Sequence, residues 1–317
     1  MIKYIRQLPV GFFGSVIGLS ALAIAWRIAH NLLDVPVWIA DWIGFFAIAD
    51  FIIISLLYII KIFFCWEDVK IEFNHPVTES LFSAIPVALM FIAAILLIYA
   101  PVVANNIWHA GAISMALFMI FIIHRWIRNK RNDQYSNLTW LLPVTGLISI
   151  PFIGLSFPVR AMWLFSQLSF AGGLILAIAL FVMVISGLFF GKKENVNEPG
   201  AIFILIAPFI MSFLSYTRIK ETIDSFADIL YYAGLSLFII FLPKIFSSWK
   251  SSPYGVSWWG TSFPFSLLTI AAFKYVEAQN LEFRVPANIA MVLLGMSSMA
   301  AVVIFFLCVV GLFRKKF

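Results

Sequence analysis

Ten apolar runs, each close to the length needed to cross a lipid bilayer, fix the fold class of this chain. A membrane-spanning helix needs roughly 20 apolar residues, with a range of about 17 to 25 and more when tilted. Within a few residues at each end, the runs cover 10–29, 37–64, 80–104, 108–127, 138–157, 161–190, 200–217, 226–248, 256–278 and 286–313. Of the 317 residues, 63 % are hydrophobic and only 11 % charged, whereas a soluble chain is about half apolar and a quarter charged. So much apolar surface cannot be hidden from water in a fold of this size. The chain reads as an all-α integral membrane protein, a single transmembrane domain over 1–317. Basic residues precede the first run but no small-residue cleavage site follows it, so 10–29 is a retained span.

The links between runs are short, so consecutive spans form antiparallel hairpins. Counting Lys and Arg on alternate sides orients them. Arg27, Arg160, Arg218, Lys220, Lys274 and Arg284 fall on one side, and the other fifteen of the 21 fall on the side of the N-terminus. Basic loops mark the cytoplasmic face, which places both termini there. The net charge of +6 is scattered through these loops and forms no basic stripe with base-stacking aromatics, so nucleic acid is not an expected partner. Cys65 and Cys308 give no disulfide framework. His30, His75, His109 and His124 lack zinc-ligand spacing, so no metal is expected. No nucleotide-binding loop, nucleophile elbow or carboxylate pair with a histidine occurs, and neither an enzyme nor a cofactor is expected.

Prolines divide the spans into two kinds. The odd-numbered spans contain or begin with Pro9, Pro86, Pro143 with Pro151, Pro208 and Pro264, whereas the even ones have proline only at or near their ends. From Pro86 the steps to Pro143, Pro208 and Pro264 are 57, 65 and 56 residues, about one hairpin each. This spacing reads as five repeats of one helical hairpin. Set around an axis in a quasi-five-fold ring, bent odd helices would line a central pore and straight even helices would surround them. Small or hydroxyl residues accompany the prolines: Gly14 and Gly18 in the first span, Ser83 in the third, Thr145 and Gly146 in the fifth, Ser212 and Ser215 in the seventh, Ser262 and Ser266 in the ninth. Such residues let membrane helices approach closely whatever their function. Around a pore they would also offer uncharged hydrogen-bond donors to an anion shedding part of its water.

The ninth span opens with Ser257 to Phe265, Ser-Trp-Trp-Gly-Thr-Ser-Phe-Pro-Phe. Pro264 cannot donate a backbone hydrogen bond and crowds the carbonyl of Gly260, while Phe263 before it is pushed away from the α region. A bulky aromatic is therefore held at a weakened turn, either as a packing residue on a bent helix or as something more. Asp50 is the one acid near the middle of a span. An intramembrane carboxylate is a candidate for proton coupling, or it pairs with a polar group of a neighbouring helix. Lys274 and Glu277 form an ordinary i, i+3 pair near a helix end.

Four stretches, taken in order, carry a family resemblance: Leu8-Pro-Val-Gly-Phe-Phe-Gly14, Glu72-Phe-Asn-His-Pro-Val77, Ala207-Pro208 and Trp258-Trp-Gly-Thr-Ser-Phe-Pro264. Together they resemble the tellurite-resistance/dicarboxylate transporter family, which includes bacterial TehA proteins and plant guard-cell slow anion channels. The resemblance implies a homotrimer in a bacterial inner membrane, each protomer with its own pore lined by five inner helices. It implies passage of small inorganic anions such as chloride and nitrate, or movement of malate, sulfite or tellurite. It assigns Phe263 the role of a plug and makes Gly14 a small residue facing the pore. Plant members carry long phosphorylated tails; only a few residues lie beyond each terminal span here, so control of that type is not expected. Two functions stay open, an anion channel gated by Phe263 and a secondary carrier coupled to protons through Asp50.

Overall fold

The structure, a computed structural model, describes residues 5–128, 137–156, 160–190, 201–251, 258–278 and 284–313. The helices are α1 Phe13–Leu33, α2 Val37–Phe64, α3 Trp66–Asn74, α4 Ala84–Leu96, α5 Pro101–Arg128, α6 Leu141–Gly154, α7 Arg160–Phe190, α8 Ala207–Lys220, α9 Ser225–Ser251, α10 Trp259–Ala278 and α11 Arg284–Phe313. No strand occurs among the described residues. Eight of the helical segments are long and apolar enough to cross a membrane, so this is a multi-span membrane protein; Leu138–Gly154 is shorter. Helix α10, of 20 residues, is diluted by Thr261, Ser262, Ser266, Thr269 and Lys274.

The odd spans of the sequence share an opening device. Short 3₁₀ turns, Val10–Phe12, Glu79–Ser83, Leu138–Trp140 and Ala201–Leu205, lead into α1, α4, α6 and α8, and Trp258 takes a 3₁₀ conformation ahead of α10. Pro9 precedes the first of these turns, while Pro86, Pro143 and Pro208 occupy the second or third position of their α-helices. In a first turn proline lacks only an N–H that would have had no helical partner. Three of the five prolines expected to bend helices thus stand where the tight turn becomes α-helix, and Pro9 stands just before its turn. Pro264 and Pro151 lie inside helices.

Three boundaries depart from expectation. The third span ends at Leu96, and Pro101 starts α5, because proline suits a first helical position and disfavours helix in the residue before it. Helix α3 was not foreseen; it is short and largely polar, and Cys65, at φ −135°, breaks the chain between it and α2. Pro243 lies inside α9, which continues to Ser251. The expected ends at Phe157, Gly200 and Val256, with Ser257, lie outside the described residues.

Burial separates two sets of helices. The windows within Val10–Leu33, Glu79–Leu96 and Ile202–Lys220 are 61 to 67 % buried, against 22 to 33 % for the spans that contain α2, α5, α7, α9 and α11. Packing follows the same division. Each of α2, α5, α7, α9 and α11 lies against the buried helix that precedes it in sequence; the first four also touch the buried helix that follows, and α11 touches α1. The buried helices pack in the order α1, α4, α6, α8, α10 and back to α1, and the α1–α10 contact is the most extensive of the five. Glycines let the outer helices come close: a side chain at Gly111 of α5 would meet Pro86 O at 3.0 Å, and one at Gly173 of α7 would meet Ile148 Cγ1 at 2.6 Å. With lipid as apolar as leucine, close approach of this kind is what holds membrane helices together.

The end of the bundle nearer the N-terminus is tied by charge. Lys61 of α2 and Glu72 of α3 pair at 2.7 Å with almost no exposure. The Lys61 Nζ also donates to Leu8 O at 2.6 Å, Tyr58 Oη donates to Glu72 Oε2 at 3.1 Å, and the Val10 amide donates to Glu72 Oε1. Nearby, buried Glu79 accepts from Trp126 Nε1 at 2.9 Å and faces Arg125 Nε at 3.0 Å. Thr139 Oγ1 donates to Val77 O at 3.0 Å. The stretch Glu72–Val77 thereby fastens the opening turns of α1 and α6 to one another.

Candidate functional site

Phe263 and Phe265 lie on opposite faces of α10, since two residues along an α-helix turn the side chain by about 200°. Phe265 packs edge-on against Phe238 of α9 at 5.1 Å and against Phe203 at 5.3 Å, towards the outer layer. Phe263 points the other way, is 6 % exposed, and meets Phe91 of α4 in a T-shaped contact at 5.4 Å between centroids. Helices α4 and α10 are not successive in the ring of buried helices, because α1 stands between them. A contact between their side chains therefore spans the inner face of α1. Phe91, itself fully buried, lies 6.5 Å from Phe152 of α6.

Small residues bring α1 and α10 together beside this aromatic pair. A side chain at Gly14 would touch Trp259 Cβ at 3.6 Å. At Gly18 it would overlap Ser262 Oγ and lie 3.0 Å from Ser262 Cβ and 3.5 Å from the Phe263 amide nitrogen. Ser266 Oγ donates to Gly18 O at 3.4 Å. Gly14, Gly18, Ser262 and Ser266 thus share the α1–α10 seam. Gly18→Ala is expected to spread that seam and destabilise the fold by about 1–3 kcal/mol, as overpacking does, while shifting Phe263. Thermal unfolding in detergent, read beside Gly295→Ala, where a side chain would meet nothing within 4 Å, checks this.

The other expected pore residues are placed as follows. Ser83 Oγ donates to Ser80 O at 2.7 Å within the second opening turn. Ser212 is buried in α8. A side chain at Gly146 would run into Met115 Sδ and Val87 Cγ2, both at 2.7 Å, so packing against α5 and α4 explains this glycine, and it plays no part in the reading below. Ser262 and Thr261 donate to Trp259 O and Trp258 O at 2.8 and 2.6 Å, and Thr145 to Leu141 O at 2.7 Å. These hydroxyl protons are spent on carbonyls of their own helices. Asp50 of α2 accepts from Ser15 Oγ of α1 at 2.5 Å, a bond between an outer and an inner helix. Among the described residues no group of three or more His, Cys, Asp or Glu could hold a metal.

At the distal end, opposite the N-terminus, two hollows open into the bundle. One of about 500 Å³ is lined by residues of α8 and α10 with Phe152, Leu155 and Trp163. The other, about 220 Å³, is lined by residues of α1, α2 and α4 with Phe152, Ile153 and Ser156. Phe152, Arg218 and Lys274 line both, so the pair together touch all five buried helices. Sequence reasoning did not find Phe91 or Phe152. With 34 phenylalanines in the chain, only the partner of each ring distinguishes them.

A family model described as Voltage-dependent anion channel (SLAC1) matches residues 7–312. The S-type anion channel SLAH3 of Arabidopsis thaliana is 23 % identical over 283 residues, 86 % of this chain and 44 % of the plant protein. The Tellurite resistance protein TehA homolog of Haemophilus influenzae is 25 % identical over 283 residues, 87 % of this chain and 83 % of that protein. The Guard cell S-type anion channel SLAC1 of Arabidopsis thaliana is 24 % identical over 295 residues, 87 % of this chain and 51 % of its own length. The chain thus spans about half the length of these plant relatives. Opening turns, buried helices and outer helices all fall inside the matched region, and the chain belongs to the voltage-dependent anion channel (SLAC1) family.

Proposed function

We propose that this protein is an anion-selective channel whose protomer carries its own pore along the axis of the five buried helices, with Phe263 as its gate. The observation that carries the reading is the Phe263–Phe91 contact, made from two helices that are not neighbours in the ring. Side chains meeting there block the enclosed path sterically and exclude water from it, which is how apolar constrictions close a channel. Among the described residues the five buried helices carry lysine or arginine only towards their distal ends, where Arg27, Arg218 and Lys274 line the two hollows of the mouth. Weak sites suit throughput of small monovalent anions such as chloride and nitrate. In this reading the distal mouth faces away from the cytoplasm, the membrane is the bacterial inner membrane, and three protomers assemble. Planar-bilayer recording of the purified protein under anion substitution is expected to show an uncoupled conductance whose reversal potential follows the chloride or nitrate gradient. Cation-following currents would end the reading.

One observation favours a second reading, a proton-coupled carrier for a dicarboxylate or oxyanion. Asp50 bonds directly to an inner helix through Ser15, so its protonation state is felt there. Asp50→Asn in proteoliposomes separates the two. Under the channel reading anion flux is kept to within about twofold, because an amide replaces the carboxylate in a single interhelical hydrogen bond worth on the order of 1 kcal/mol. Saturable, pH-driven malate uptake that disappears in this variant would establish the carrier instead.

A further inference from the structure

We propose that Arg218 forms an anion-docking site at the distal mouth, built to favour planar oxyanions, nitrate or a carboxylate, over chloride. Its consequence for conduction rests on the channel reading above; its binding does not. Arg218 lines both distal hollows, on the wall they share. The charged side chains lining those hollows are Arg27, Arg218, Lys274, Glu221 and Glu277. Arg27 is held by Asp41 and by Tyr99 Oη, the latter at 3.0 Å, and Lys274 is held by Glu277. Arg218 differs. Its Nη2 donates to Ser156 Oγ at 2.9 Å, and among the described residues it takes part in no ion pair.

A serine hydroxyl fixes the arm of an arginine without neutralising it, and a guanidinium presents five N–H donors of which this bond uses one. The remaining donors form a rigid planar fork that matches two oxygens of a trigonal oxyanion, a match that a spherical halide cannot make. Position strengthens the case. The five buried helices run in one direction and end at this mouth, and helix C-termini carry partial negative charge that repels an arriving anion. Arg218, in the last turn of α8, offsets that repulsion where the route begins. Phe152 is its apolar neighbour on the shared wall, and from Phe152 the rings of Phe91 and Phe263 follow at 6.5 and 5.4 Å. An anion leaving Arg218 therefore arrives at the aromatic constriction.

Two measurements on the full chain test the site. In planar bilayers with Phe263→Ala as the conducting background, Arg218→Gln is expected to lower current carried by anions from the distal side about threefold or more at about 20 mM salt. At about 1 M salt the difference should vanish through screening. Anions from the other side should be unaffected. Arg218→Lys should restore chloride current without restoring the preference for nitrate, and Lys274→Gln, whose cation is already paired, should do less than Arg218→Gln. Distal current at low salt that is indifferent to Arg218 would overturn the proposal. Independently of conduction, crystals of the wild-type protein soaked in 4-bromobenzoate, a planar carboxylate carrying an anomalous scatterer, should show an anomalous peak beside Arg218 that Arg218→Gln removes, and no peak there overturns the docking site. 4-Bromobenzoate at Arg218 in a protein whose Phe263→Ala variant carries no current would support the site while ending the channel reading.

Discussion

Phe263→Ala should turn a quiet protein into one with a standing anion conductance, larger than wild type by on the order of tenfold or more, because it removes the steric and dewetting barrier together. The rings of Phe263 and Phe91 meet edge to face at 5.4 Å, so deleting the first leaves the second without its partner across the ring interior. Phe91→Ala should also raise conductance. The two substitutions should not be additive, since each removes the same contact. Phe265→Ala is the decisive control. It sits two residues away on the same helix but packs against Phe238 and Phe203, so it should cost about 3–5 kcal/mol of stability and open nothing. Oocyte or planar-bilayer currents measure all four variants. A Phe263→Ala current equal to wild type, from protein shown to be folded and inserted, would remove the gate.

The second large effect concerns stability. Glu72→Ala should destabilise the fold by about 3–5 kcal/mol, the usual cost of leaving one member of a buried ion pair without the other. Lys61 would stay buried with its charge met by Leu8 O and the face of the Tyr58 ring but by no carboxylate, and the Val10 amide and Tyr58 hydroxyl would lose their acceptor. Glu72→Gln keeps an acceptor oxygen for one of those two donors but not the charge, so it should fall between. Lys61→Met combined with Glu72→Gln should recover most of the loss, because the stranded charge is gone. Thermal unfolding in detergent gives the order, and a Glu72→Ala melting temperature equal to wild type would show that the pair contributes nothing.

Much of the architecture could be read from the chain because membrane spans obey a coarse rule, length and apolarity, and because proline marks the buried spans. The role of proline was less legible. Pro86, Pro143 and Pro208 begin α-helix after a 3₁₀ turn, a choice between two helix types that sequence composition does not register. Helix α3 was missed for a related reason: nine residues with Glu67, Asp68, Lys70 and Glu72 look like a solvated loop. Gly146 shows the limit for the site. A small residue near a proline reads alike whether it faces a path or a neighbouring helix, and only the neighbours, Met115 and Val87, distinguish them. Phe91 was invisible because its significance lies in a contact across the ring.

The closure of the ring has a bearing on how the protein is made. The first and last hairpins meet twice, through α1 with α10 and through α1 with α11, where Trp26 Nε1 donates to Ser298 Oγ at 3.0 Å. Chains emerge from the ribosome N-terminal end first, so α1 waits through the synthesis of the next three hairpins with one flank uncovered. The helix bearing Phe263 is in the last hairpin to arrive, so the same step that seals the bundle also installs Phe263. A ribosome stalled before α10 would release a four-hairpin intermediate with an open side, a natural substrate for membrane quality control.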